Sequence, residues 1–358
     1  MHWLQQKNKN IDLTIYNMII RSKAPLRIGL AGGGTDVSPY SDIFGGAILN
    51  ATIDLYAYAS LEPLTNNTIE FCIDGTGKCV ILNSEKELAL VEGFELFIGV
   101  YNRIVKQFNL PALSFRLTSY IEAPQGSGLG TSSTIVVSLI GAFVEWFKLP
   151  LGKYDIAHLA YEIERKDLNM SGGKQDQYAA TFGGINFMEF LANDKVIVNP
   201  LQLKDEVLYE LEFNLLLYFT ATQRLSATII NEQVKNVNDK NEKSVDAMHN
   251  LKEQAQQMKD SLLRGDLNKI GEILHYGWTN KKQIAHSISN SLIDNVYETA
   301  LKSGATGGKI SGAGGGGFMF FYCPGVTKIK IAKAIENLGG NVQSFKFTQQ
   351  GLTTWTSL

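Results

Sequence analysis

Proline is scarce in this sequence, with 8 residues in 358, and cysteine is scarcer, with 3. So few prolines beside 34 glycines exclude a Pro/Gly low-complexity chain. The cysteines, Cys72, Cys79 and Cys323, give no disulfide framework and are not at zinc spacing, so ordinary packed or surface residues are expected. The five histidines form no ligand motif. Excess charge is absent as well: 33 basic against 35 acidic residues leave a net charge of −2, which argues against a broad basic footprint for nucleic acid. No apolar run reaches the roughly 18 residues of a membrane span. The polar start MHWLQQKNKNIDLTIYN does not read as a signal peptide, so no membrane partner and a cytoplasmic location are expected. Strand-like sequence begins at Met18-Ile19-Ile20, which makes the preceding residues an extension, or Met18 the true start.

What the sequence does have is clustered glycine, at 32–34, 45–46, 126–130, 172–173, 183–184, 304–308 and 312–317. In a chain with 44% hydrophobic residues, such clusters mean that the backbone turns sharply or approaches something closely. Strand character falls at 18–31, 47–61, 68–73, 78–82, 112–121, 184–190, 195–199 and 207–220, with Asp74–Gly77 as a hairpin turn. Apolar residues at 3–4 spacing predict helices over 87–108, 131–147 and 153–168, with a short one near 174–181. The polar stretch 231–244 reads as a solvated helix or an exposed connection. Helices then fit 266–286, 290–303 and 325–338, and strands fit 318–323 and 341–348. The class is α+β, in two domains with a boundary near 200–220.

Four stretches carry chemistry. Gly126-Ser127-Gly128-Leu129-Gly130-Thr131-Ser132-Ser133 lies between a strand and a helix, where exposed backbone N–H groups and the helix dipole favour a phosphate. It is neither a Walker A motif nor a Rossmann fingerprint, and a plain capped turn is its competing explanation. Arg27 to Asp36 runs from a strand into three glycines and Thr35-Asp36. An ionised Asp36 there suits sugar hydroxyls, or caps a helix. Glu164 and Asp176 flank Gly172-Gly173 at a helix junction, which suits a divalent cation and a general base, although charged helix ends are commonly just solvated. Four glycines, 314–317, run straight into an apolar strand, more than a turn needs.

Taken together, these stretches resemble the galactokinase, homoserine, mevalonate and phosphomevalonate (GHMP) kinase superfamily, over essentially the whole chain from about residue 21. "APLRIGLAGGGTD" and "SGGKQDQYAATFGGIN" look like its branch of D-glycero-D-manno-heptose 7-phosphate kinases and L-fucose kinases. The resemblance implies a two-domain α+β fold. An N-terminal ATP-binding domain like ribosomal protein domain 2 would span 18–205, and a ferredoxin-like C-terminal domain 206–358. It implies ATP and Mg²⁺ as cofactors and a sugar or sugar phosphate as the small-molecule substrate, with no choice between monomer and homodimer.

The resemblance also implies roles. Asp176 is the base and Arg27 steadies the developing charge. Ser133 and Glu164 hold Mg²⁺, and residues 126–133 hold the ATP phosphates. Thr35, Asp36 and Gly173 meet the sugar, while Ser311, Gly312, Gly314 and Gly315 close the site from the second domain. A sugar phosphate needs a cationic pocket, for which Lys174, Arg224 and Lys309 are candidates because each flanks a motif. The competing functions are a kinase of L-fucose or another free sugar, and a non-catalytic sensor on the same fold.

Overall fold

The computed structural model describes residues 18–124, 126–222 and 226–357. The expected extension before Met18, and Arg224, lie outside the described residues. The first sheet contains β1 (Ile19–Ala31), β2 (Gly46–Pro63), β3 (Thr68–Ile73), β4 (Lys78–Asn83) and β5 (Phe115–Ile121). It is extended by β6 (Ile185–Phe190), β7 (Val196–Pro200) and β12 (Thr353–Ser357). Its order is β12-β1-β2-β5-β3-β4, with β6 pairing the first half of β2 and β7 pairing β6. Among the described residues only the β3–β5 pair is parallel.

β1 and β2 show how the molecule is layered. β1 alternates buried and half-buried residues from Ile19 to Lys23, then is buried continuously from Ala24 to Ala31. β2 does the reverse, buried from Gly46 to Ile53 and alternating afterwards. Alternation marks one covered face, and a continuous run marks two. A short helix, α1 (Tyr40–Phe44), lies between β1 and β2. One face is covered by α2 (Glu95–Phe108), α3 (Thr131–Phe147) and α4 (Lys153–Glu162), whose Ile98, Phe143 and Ile156 share one core with Ile20, Ala24 and Leu61. The other face is covered, over the doubly buried stretches, by the second half of the chain.

That half is built on a second sheet of β8 (Leu215–Phe219), β9 (Gly307–Ile310), β10 (Phe318–Tyr322) and β11 (Asn341–Gln343), antiparallel in the order β11-β8-β10-β9. Leu215, Leu217 and Phe320 face the first sheet and pack with Leu26, Ile28 and Leu49. Leu216, Tyr218 and Phe321 face the other way, toward α9 (Ile270–Ile284), α10 (Ser291–Ser303) and α11 (Lys328–Glu336). One apolar seam therefore joins the two sheets. Phe320 is fully buried in it, and truncating such a residue to alanine costs about 3–5 kcal/mol.

Several expectations are corrected. Cys72 and Cys79 are not unpaired: the hairpin turn at 74–77 sets them directly opposite across β3–β4, and a disulfide joins them. α2 begins at Glu95 rather than at 87, because the Asn102 side chain holds the N–H and C=O of Leu88 at 2.9 and 2.8 Å in an irregular segment. The strand expected over 207–220 is a helix, α6 (Asp205–Asn214), followed by the shorter β8. Asp205 and Glu206 in its first turn complement the helix dipole. The polar stretch 231–244 is helical, ending α7 (Ser226–Asn238) and starting α8 (Glu242–Arg264), where the Asn241 side chain caps the N–H of Ser244 at 3.1 Å. The strand expected over 341–348 shrinks to β11, and β12, a Thr- and Trp-rich segment outside the expected strands, pairs β1. Among the described residues no helix is long and apolar enough to cross a membrane.

Candidate active site

A cleft of about 810 Å³ opens where the two halves meet, lined by both. Its floor is the loop between β5 and α3. Gly126, Gly128 and Gly130 all take positive φ, of 70, 77 and 81°. A side chain at 128 would strike the Ser311 carbonyl at 2.4 Å, so only glycine lets the second half approach this closely. Gly130 sits at the N-cap of α3 with no side-chain cap, which answers the capped-turn explanation: the first-turn amides are left for a guest. Gly126, Gly128, Gly130, Thr131, Ser132 and Ser133 line the cleft. Ser127 and Leu129 are fully buried and turn inward, their carbonyls bonding Phe318 N at 2.8 Å and Arg27 N at 3.1 Å.

Arg27 comes up from β1 and Asp176 from the first turn of α5 (Gln175–Phe182). Their side chains meet, Arg27 Nε donating to Asp176 Oδ1 at 2.7 Å, while a further guanidinium N–H donates to the Gly128 carbonyl at 2.6 Å. Asp176 stands against Gly130, whose Cβ, if present, would lie 3.2 Å from its carboxyl carbon. A proton acceptor, a fixed positive charge and a helix N-terminus thus converge.

Glu164 lies in a π turn, Ile163–Asp167, in which Leu168 N–H reaches back to the Ile163 carbonyl at 3.0 Å. Such turns recur at functional sites because they re-aim side chains. Ser133 Oγ donates to Glu164 Oε1 at 3.0 Å, and Gln177 Nε2 donates both to Ser133 Oγ at 3.0 Å and to Glu164 Oε2. Burial pushes the Glu164 carboxyl above its ordinary range, opposed by the charge of Arg165 and by hydrogen bonds from Gln177 and Ser133.

Asp36 lines the cleft, buried, and its Oδ2 accepts the backbone N–H groups of Lys174 and Gln175 at 2.9 and 3.0 Å. The cap expected for a helix at Val37-Ser38 is not formed: this carboxylate oxygen holds the start of α5 instead. The neighbouring glycines answer to side chains of the chain itself. A Cβ on Gly173 would lie 1.9 Å from Asp36 Oδ2, and one on Gly172 would lie 2.2 Å from the Arg165 guanidinium. Gly173 and Gly312 line the cleft.

Other expected residues do not face it. Thr35 is fully buried, its hydroxyl bonding the carbonyls of Gly32 and Ala47 at 2.9 Å each. The Lys174 ammonium turns away to Asp42 and Asp194, at 3.1 and 3.0 Å. Lys309 is buried behind the site, donating to the Gly29 carbonyl at 2.7 Å. Gly314 and Gly315 pack on Ile288, and Ser311 Oγ donates to the Gly128 carbonyl at 3.0 Å. Ser311 thus ties the second half to the glycine loop, while Gly314 and Gly315 pack within the second half itself.

The sequence reading missed three contributors. Lys281, on α9, lines the cleft and donates to the Gly312 carbonyl at 2.7 Å. Burial lowers its pKa to about 8, Asp36 opposing the shift and Arg27 adding to it. No local motif announces it. Arg165 and Gln177 stand inside the stretch that supplied Glu164 and Asp176, and their proximity to those residues was the available signal.

The family models "GHMP kinases N terminal domain" and "GHMP kinases C terminal" match residues 95–184 and 258–341. The D-glycero-alpha-D-manno-heptose 7-phosphate kinase of Campylobacter jejuni is 47% identical over 336 residues, covering 94% of this chain and 98% of that protein. The chain belongs to the GHMP kinase family. As a GHMP kinase it is an ATP-dependent phosphotransferase. A crystal structure of a D-glycero-D-manno-heptose 1-phosphate kinase from Bacteroides thetaiotaomicron superposes with a TM-score of 0.81 at 46% identity, covering 94% of this chain and 98% of that one. The galactokinase of Lactococcus lactis shares the fold at 18% identity, with a TM-score of 0.74 over 94% and 95% of the two chains. This kinase thus carries the expected two-unit α+β architecture.

Proposed function

We propose that this kinase transfers the γ-phosphoryl group of ATP to the anomeric hydroxyl of D-glycero-D-manno-heptose 7-phosphate, giving the 1,7-bisphosphate. The observation that carries the chemistry is the Asp176 carboxylate, held by Arg27 at 2.7 Å and set against the glycine loop at the start of α3. Asp176 takes the proton from the sugar hydroxyl as its oxygen attacks the γ-phosphorus, the bond to the β–γ bridging oxygen breaks, and ADP leaves. Arg27 stabilises the charge that gathers between the reacting oxygens, and the amides of Gly126–Ser132 hold the phosphates in line. Phosphoryl transfer rests on positioning and charge neutralisation, which these parts provide.

The Ser133–Glu164 pair fits a magnesium ion. It offers two oxygens in contact, a buried carboxylate whose nearest cationic partner, Arg165, is 3.8 Å away, and the buried, unpartnered Oε1 of Gln177 beside them. No group of three His, Cys, Asp or Glu side chains forms a cage among the described residues, which suits a cation that takes its remaining ligands from phosphates and water. When bound, the ion neutralises phosphate oxygens, and Gln177 keeps Ser133 and Glu164 oriented toward it.

Asp36, which lines the same cleft as the base, accepts from the sugar hydroxyls, and the halves 18–205 and 206–358 close over sugar and nucleotide together. The two related kinases named above differ in where their sugar already carries phosphate. A 1-phosphate would block the anomeric oxygen and force attack from elsewhere on the sugar. The test is ATP consumption across free sugars, sugar 1-phosphates and heptose 7-phosphate, with phosphorus NMR of the product. Heptose 7-phosphate giving a new anomeric phosphate is the expected result. Turnover of free sugars alone overturns the reading.

A further inference from the structure

We infer that Arg165 recognises the phosphate that the sugar already bears, an inference that rests on the sugar-phosphate reading above. Arg165 lines both the transfer cleft and an adjoining pocket of about 220 Å³, and is the only Lys or Arg among the described residues to line both. That second pocket also presents Ser38, Asn169 and Ser171, short polar side chains of the kind that share a phosphate with a guanidinium.

The guanidinium is poorly spent in the structure as it stands. Its side chain is 13% exposed, and it reaches no carboxylate within hydrogen-bond distance, the nearest being Glu164 at 3.8 Å. It makes only long bonds to backbone carbonyls, of 3.3 Å to Gly173 and 3.5 Å to Met170. Arg27, by contrast, is matched to Asp176 at 2.7 Å. A largely buried cation without a close counter-charge is stabilised by any anion that enters beside it. Of the other cations lining these two pockets, Arg27 is paired with Asp176 and Lys174 with Asp42 and Asp194, while Lys281, bonded to the Gly312 carbonyl, lines the transfer cleft alone and not the second pocket.

The loop before α5 sets the order of groups along the sugar. Gly172 receives Arg165, Gly173 receives Asp36, and Asp176 follows in the first turn of the helix. The base lies four positions after the arginine's seat, a span of at most about 14 Å. A sugar whose reacting hydroxyl meets Asp176 thus passes Asp36 and delivers a phosphate on its far end to Arg165.

A purely structural Arg165 would only pin this loop through the carbonyls of Gly173 and Met170. The two roles separate in kinetics. Arg165→Gln and Arg165→Lys are compared with the wild-type chain on heptose 7-phosphate, on the unphosphorylated heptose and on ATP, with thermal midpoints recorded for each. Losing charge-assisted bonds to a phosphate raises KM for heptose 7-phosphate about ten- to a hundredfold in Arg165→Gln, and less in Arg165→Lys. KM for ATP stays within threefold of wild type, and kcat/KM falls less for the unphosphorylated heptose than for heptose 7-phosphate, so the preference for the phosphorylated sugar shrinks. Equal losses on both sugars overturn the proposal in favour of loop pinning, and an unchanged preference for the phosphorylated sugar in Arg165→Gln overturns it outright. A wild-type enzyme that prefers the free sugar overturns the substrate reading, and this inference with it.

Discussion

Replacing Asp176 by Asn isolates the proton transfer from everything else the site does. The amide keeps an oxygen where Arg27 Nε donates at 2.7 Å, and Arg27 remains anchored by the Gly128 carbonyl at 2.6 Å. The buried guanidinium is therefore not stranded. Its bond to residue 176 loses the charge of the acceptor and keeps that of the donor, a loss of about 1–2 kcal/mol in stability rather than the about 3–5 kcal/mol expected when one partner of a buried pair is removed. The amide cannot accept the hydroxyl proton. General-base assistance is worth ~10²–10⁴ in rate, or about 3–5 kcal/mol of barrier, and kcat should fall by that factor. The amides that hold the nucleotide are untouched, so ATP affinity should stay within about threefold. Coupled detection of ADP gives kcat, calorimetric titration gives nucleotide affinity, and urea unfolding gives stability. Turnover within tenfold of wild type refutes Asp176 as the base. A parallel collapse of ATP affinity shows that the residue organises the loop instead.

Other outcomes follow from the same geometry. Gly173→Ala places a methyl 1.9 Å from Asp36 Oδ2 and drives that carboxylate off the amides of Lys174 and Gln175. A stability loss of about 1–3 kcal/mol and a raised KM for the sugar, but not for ATP, are expected from urea unfolding and steady-state kinetics. Lys174→Met strands two half-exposed carboxylates, Asp42 and Asp194, so thermal unfolding should come earlier while KM for the sugar stays at its wild-type value. In the free protein, burial holds Lys281 near pKa 8 rather than 10.5. As pH rises through 8 the folded state releases this proton while the unfolded state keeps it, so stability should climb between about pH 8 and 10.5, by at most about 3 kcal/mol. Urea midpoints across that range should climb less in Lys281→Met, and an identical slope counts against the assignment.

The parts of the site written in consecutive residues were legible in the sequence. Residues 126–133 needed only a strand, three glycines and a helix start to be read as an anion cradle, and the structure sets all three glycines at positive φ. Glu164 and Asp176 were legible because the chain brings them together through a short loop. What could not be read depends on the second half folding back. Lys281 reaches the cleft from α9, and nothing in its neighbourhood marks it off from a surface lysine. Lys174 and Lys309 erred in the opposite direction: beside a motif in sequence, they are turned by their partners away from the cleft. The disulfide was missed although its turn was read, because register across β3–β4 was not followed through to the facing pair.

The pairing of β12 with β1, which sets Ser357 opposite Ile19, has a consequence for how this chain comes to be folded. The two strands are separated by the entire second sheet, so the contact closes one of the longest loops the molecule makes and is entropically among the last to form. Until it forms, that edge of β1 presents unpaired backbone groups that can recruit a strand from another chain. The second unit is thus stitched into the first at both of its ends. A lesion that unfolds it withdraws the strand sealing the first sheet, and the damage spreads to an element it never touches.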